Sequence, residues 1–294
     1  MPYLFLVAAA LAMLALAWWR SPGPLCPWSF LTTGGAITLG DLVVTGILAM
    51  YQYRPGFLPH YPDNYLGVLI AECLFVPAYY AFLSTFPGRC RYWVYGLGVV
   101  PVLLLEVLFL WLGVYVHRTW TLWHSVVLFL LYGLVAAYGA NSFERRRYSP
   151  HHRFVLVAAT MYYIMNLWAL IPFGILRLVT IRLHLFESAE LDLVISALLL
   201  HAAPFTLIGI IGTWYRLTRR LWFLLTTVAG FALWLTFLQA AGIWVGRPPW
   251  NPWLEGVCIS LSYAGLGWID HWFAAHARTR PRIPPWVPPD TSAE

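Results

Sequence analysis

The chain contains no lysine, so all 18 of its basic residues are arginine and a lysine Schiff base, with the retinal-type receptors that need one, is excluded. Charge of either sign is scarce. Only 10% of residues are charged and 61% are hydrophobic, whereas a soluble domain carries about 25% charged residues. A globular cytosolic protein is therefore excluded. The four cysteines, Cys26, Cys73, Cys90 and Cys258, form no CxxC pair and predict neither a disulfide nor a zinc site. No basic residue precedes Arg20. The first apolar run thus lacks the positive leader of a secretory signal and reads as a retained helix that inserts with its N-terminus outside. P-loop, GxSxG, HExxH and helix-opening GxGxxG patterns are all missing, which argues against ATP-driven transport and serine hydrolysis within the chain. No cofactor is implied.

What remains is a long series of apolar runs. At roughly 20 residues per crossing, the breaks between them give nine spans: 3–19, 28–51, 65–86, 92–116, 122–140, 154–176, 191–214, 221–245 and 254–275. The net charge of +6 does not point to nucleic acid, because the arginines sit in short loops. Thirteen of them fall after odd-numbered spans and five after even-numbered ones. Positive loops stay on the cytoplasmic side, so the expected protein is an all-α integral protein of the bacterial plasma (inner) membrane with its C-terminus in the cytoplasm. Its partner is the lipid bilayer, and a homo-oligomer is left open. The opposite loops, YRPGFLPHYPD, HRTWTLW and GRPPWNPW, are rich in Pro and in the ring residues that settle at headgroups.

The chain also repeats itself. A shift of 129 residues places Asp63 on Asp192, Trp93 on Trp222, Gly113 on Gly242 and Arg118 on Arg247; one inserted residue later, Trp120 falls on Trp250 and Trp123 on Trp253. Earlier, a shift of 125 sets Asp41 on Asn166. The expected organisation is a single N-terminal helix (1–27), a first four-helix repeat (28–143), a basic linker (144–153), a second four-helix repeat (154–277) and a Pro-rich tail (278–294). With four spans each, the two copies run parallel, an arrangement found in transporters that bind substrate between repeats.

Ionisable groups deep in a bilayer cost about 2.5–3.5 kcal/mol each on insertion scales and tend to persist where they have a role. Asp41, Glu72 and Glu106 fall within spans, and their counterparts are Asn166, His201 and Leu235. This predicts an intramembrane polar site of Asp41, Glu72, Glu106, Asn166 and His201, dominated by the first repeat. The competing reading is carboxyls that only bind helices together. A second candidate set, His60, Asp63, His117 and His124, lies at the outer ends of spans 3–5 and has metal-ligating residue types without a metal-site spacing, so a solvated rim is the plainer expectation. The Asp270-His271 pair is expected at the inner interface with no role.

The stretch GDLVVTGILAMYQYRP, then LPH, then the Glu of LLLEVLFLWLG, then HRTWTLWHS, resembles a family of small multi-pass membrane proteins of spore-forming bacteria named after a clostridial locus. The resemblance covers roughly residues 28–140 and extends to 154–275. It implies about five helices per family member and no established activity. It also implies that Asp41, His60, Glu106, His117, Trp120 and Trp123 hold the family's recurring polar and aromatic positions. Three functions are consistent with these residues. One is a carrier or binding protein for a small or lipid-like molecule; the others are a membrane-embedded enzyme on an apolar substrate, and a structural protein of the envelope.

Overall fold

The computed structural model describes residues 2–87, 90–146 and 148–279; at 60, 61, 145, 146 and 277–279 it describes the backbone alone. Among these residues, eight helical stretches are long and apolar enough to cross a membrane. The first is α1 (Pro2–Arg20). The second, Leu25–Ile47, contains α2 (Leu25–Asp41), and the third, Pro62–Leu83, contains most of α3 (His60–Val68) and all of α4 (Val76–Leu83). The fourth joins α5 (Cys90–Leu97) to α6 (Val99–Trp111), and the fifth lies within α7 (Leu122–Arg146). Then come α8 (Pro150–Trp168), α9 (Ala189–Ala197) running into α10 (Ala203–Trp214), and α11 (Leu221–Ala240). A further long helix, α12 (Pro252–Thr279), stands where the ninth span was expected and packs along α11. Its Glu255, serines, glycines and aromatics hold its hydropathy below that of the other eight.

The helices are not uniform. Four segments widen into π-helical turns: Leu42–Ile47 after α2, Leu69–Phe75 between α3 and α4, Ala169–Ile175 after α8, and Leu198–Ala202 between α9 and α10. The first and third end alike. Leu48 N–H reaches back five residues to Val43 O and Leu176 N–H to Ile171 O, at 2.9 and 2.8 Å. The chain then turns through a left-handed residue, Ala49 or Arg177. Such widened turns leave backbone groups off the regular ladder and recur at functional sites.

Two short antiparallel ribbons close one end of the bundle. Strand β1 (Tyr51–Tyr53) pairs with β2 (Tyr115–His117), and β3 (Val179–Ile181) with β4 (Trp244–Gly246). Each ribbon joins strands more than 60 residues apart, entered through left-handed turns at Gly113 and Gly242. Side chains alternate along a strand, so Tyr51 and Tyr53 point into the bundle around the outward Gln52, as Val179 and Ile181 do around Thr180. Tyr3 of α1 is buried against the first ribbon and donates to Val114 O at 2.9 Å. The ribbons and the chain's beginning thus share one end. The other end gathers arginine–carboxylate pairs. Arg91 donates to both carboxylate oxygens of Glu144, and Arg153 to both of Asp270. Asp270, expected to have no role, therefore anchors α12 to the first turn of α8.

The two halves of the chain meet along α2 and α8. Apolar surface gains little by leaving lipid, so spans associate through close packing at small residues. Gly35 supplies the closest point: a Cβ there would sit 2.3 Å from Ala159 O. The tail from 280 onward, including its PxxP stretch, lies outside the described residues. Away from the core, large side chains such as Trp19, Trp93, Trp111 and Trp123 are exposed on the helical surface, as in a protein surrounded by lipid.

Candidate functional site

The three carboxyls of the first half stand at the inner face of its ribbon. Asp41 is the last residue of α2, where the helix widens. Thr45 Oγ1 and Tyr51 Oη donate to the same oxygen, Oδ1, at 2.7 and 2.6 Å. Glu72 lies within a π-helical segment, and its Oε1 accepts the Tyr53 hydroxyl. Glu106 Oε1 accepts Ser125 Oγ at 2.8 Å and lies 2.9 Å from His117 Nε2. Trp120 Nε1 in turn holds Ser125 at 2.7 Å. In each carboxyl the donors converge on one oxygen; among the described residues none donates to the second. The hydroxyls of Tyr51 and Tyr53 are the phenolic donors to these carboxyls.

Two cavities meet at this cluster. The larger, about 350 Å³, lies between the halves. Its rim carries Gln52, Asn64, Arg118, Ser188 and Glu190; its walls include Leu42, Leu170, Phe173 and Val194; and Asp41 and Asn166 line its depth. The smaller, about 80 Å³, is an aromatic chamber within the first half, lined by Asp41, Glu72 and Glu106 together with Tyr53, Tyr115 and Trp120. Asp41 and Tyr51 line both. Asp41, Glu72 and Glu106 are thus brought to one chamber, and Asn166 faces the cavity beside it.

His201 is not part of that group. It is 1% exposed in the core of the second half and bonds Glu255 Oε1, while Trp250 Nε1 reaches Oε2 at 3.2 Å. The expected polar site, dominated by the first repeat, left out Glu255, which is itself 1% exposed. The register contained the clue: a shift of 130 places Trp120 on Trp250 and also Ser125 on Glu255. Where the first half has Tyr51, Tyr53, Tyr115 and Glu106, the second packs Val179, Ile181, Trp244 and Leu235 into one apolar core.

The outer set disperses. Asp63 is buried and accepts backbone N–H groups of Gly56, Phe57 and Leu58, fixing the loop before α3. Asp192 does the same for His184, Leu185 and Phe186. His117 turns inward to Glu106, His124 bonds Thr121 at the surface, and the His60 side chain lies outside the described residues. Among the described residues no three His, Cys, Asp or Glu side chains are placed to hold a metal ion.

Compared with family models, with curated proteins and with solved structures, the chain matches none.

Proposed function

We propose that this membrane protein is a carrier or binding protein for a small or lipid-like molecule, held between two parallel copies of one four-helix unit. The observation that carries the reading is Asp41. It is a nine-tenths buried carboxyl with one oxygen free of donors, and it lines both cavities where the halves meet. A volume of about 350 Å³ suits a small ligand, for which sites span roughly 300–1,000 Å³. Apolar walls beneath a polar rim suit an amphiphile. A carboxyl whose task is only to join helices would be served by its caps; the open oxygens beside empty volume favour a ligand.

The duplication is supported by matched devices: paired π-helical segments, paired ribbons, and the Asp63 and Asp192 loop anchors. The arginine count favours ribbons outside the cell and a C-terminus in the cytoplasm. The test is Ala197→Phe, which adds bulk to the lining of the larger cavity without replacing a carboxyl. Native mass spectrometry of wild-type protein in nanodiscs is expected to show a bound small molecule that the variant loses. A bound species retained at equal occupancy by the variant overturns the reading.

A further inference from the structure

We infer that the ligand is a small organic cation, an amine or quaternary ammonium with an apolar tail, whose charged head enters the aromatic chamber beside Asp41, Glu72 and Glu106. This rests on the binding reading above and adds the chemical class.

Among the described residues the chamber lining contains no arginine or histidine. Three carboxyls therefore meet in one volume whose described lining holds no basic side chain, His117 reaching Glu106 at 2.9 Å from outside that lining. A buried carboxylate needs compensation by hydrogen bonds or opposite charge. The caps here are phenol, hydroxyl and imidazole groups placed on one oxygen of each carboxyl. The unsupplied oxygens call for a positive guest. A bare metal ion does not match, because among the described residues no three ligating side chains are suitably placed.

An organic cation matches on two further counts. Cations gain from the faces of Tyr and Trp rings within about 6 Å. Tyr51, Tyr53, Tyr115 and Trp120 form a continuous aromatic wall, with centroids of 4.9 Å for Tyr53–Tyr115, 5.3 Å for Tyr51–Tyr115 and 5.4 Å for Tyr51–Trp120. The volume of about 80 Å³ exceeds the ~10–15 Å³ that one water needs and admits a compact ammonium head. The apolar walls of the larger cavity then receive the tail, with Asp41 and Tyr51 at the junction. In the second half the same place is filled with Val179, Ile181 and Trp244, so a single head is expected per chain.

The test is calorimetric titration of the full chain in nanodiscs of neutral lipid with butyltrimethylammonium, butanesulfonate and 1-butanol. Saturable binding of the cation is expected, at least tenfold tighter than that of the anion or the alcohol. Asp41→Asn should weaken it at least tenfold, and Glu72→Gln serves in parallel should the first variant fail to fold. The comparison on wild-type protein needs no variant. Equal binding of all three probes, or cation binding unchanged in both variants, overturns the charge assignment. Binding of only the alcohol or the anion, abolished by Ala197→Phe, would leave the cavity reading standing and remove the cation.

Discussion

The two halves each carry a short ribbon entered through a left-handed glycine and a π-helical turn closing on a left-handed residue, and they differ in what they bury beneath these features. In the first, the ribbon points two tyrosines at carboxyls beside open volume. In the second, the ribbon points Val179 and Ile181 into a packed core, beside which a His201–Glu255 pair is held by Trp250. A polar group with unsupplied hydrogen-bonding capacity next to a cavity suits a guest, whereas one satisfied on all sides and enclosed suits a lock. Five substitutions break or sharpen this contrast.

The largest effect is expected at the seam. Gly35→Leu drives a side chain into the Ala159 backbone. Ordinary overpacking, in which neighbouring side chains give way, costs about 1–3 kcal/mol; here the obstacle is main chain that cannot move aside, so the loss is expected to exceed that of every change below. Gel filtration of the detergent-solubilised protein should show loss of the monodisperse species; a normal profile with unchanged thermal stability would separate the halves from α2–α8 contact.

Next is the lock. His201→Ala strips a buried partner from Glu255, which by analogy with other buried pairs costs about 3–5 kcal/mol. Adding Glu255→Ser, the residue of the first half at that place, should restore much of the loss in a double-mutant cycle. Thermal unfolding checks both, and a double mutant worse than the sum would contradict a simple pair. A smaller loss, about 1–3 kcal/mol for one unsatisfied buried group, is expected for Tyr53→Phe, which frees Glu72 Oε1. Gln52→Ala touches only exposed arginine contacts and should change stability by about 0.5 kcal/mol or less, the range of plain surface substitutions. If Tyr53→Phe proves as costly as His201→Ala, the first-half cluster is a lock as well.

Much of the architecture was legible in the sequence. Apolar length located the membrane-spanning helices. Glu72 and Glu106 were found because a carboxyl within an apolar run is conspicuous. The π-helical widening after Asp41 was not legible, because no residue type marks it and it follows from packing. Nor was the pairing of Tyr51 with His117, residues 66 apart that only tertiary contact unites. Glu255 was overlooked for a related reason: near the start of a span it reads as interfacial, and its burial follows from His201 and Trp250 closing over it. The outer histidines read as a solvated rim; His124 does lie at the surface, whereas His117 turns inward to Glu106, a contact that only tertiary packing makes.

The most direct test of the account is chemical access to the cavity between the halves. Thr45→Cys, placed on the cavity lining beside Asp41 with the exposed Cys90 replaced by serine, should react with a small methanethiosulfonate reagent in nanodiscs. Adding Ala197→Phe should slow that reaction at least tenfold. A thiol at position 45 that does not react, or that reacts equally fast with and without the Ala197→Phe substitution, would contradict a cavity reaching Asp41.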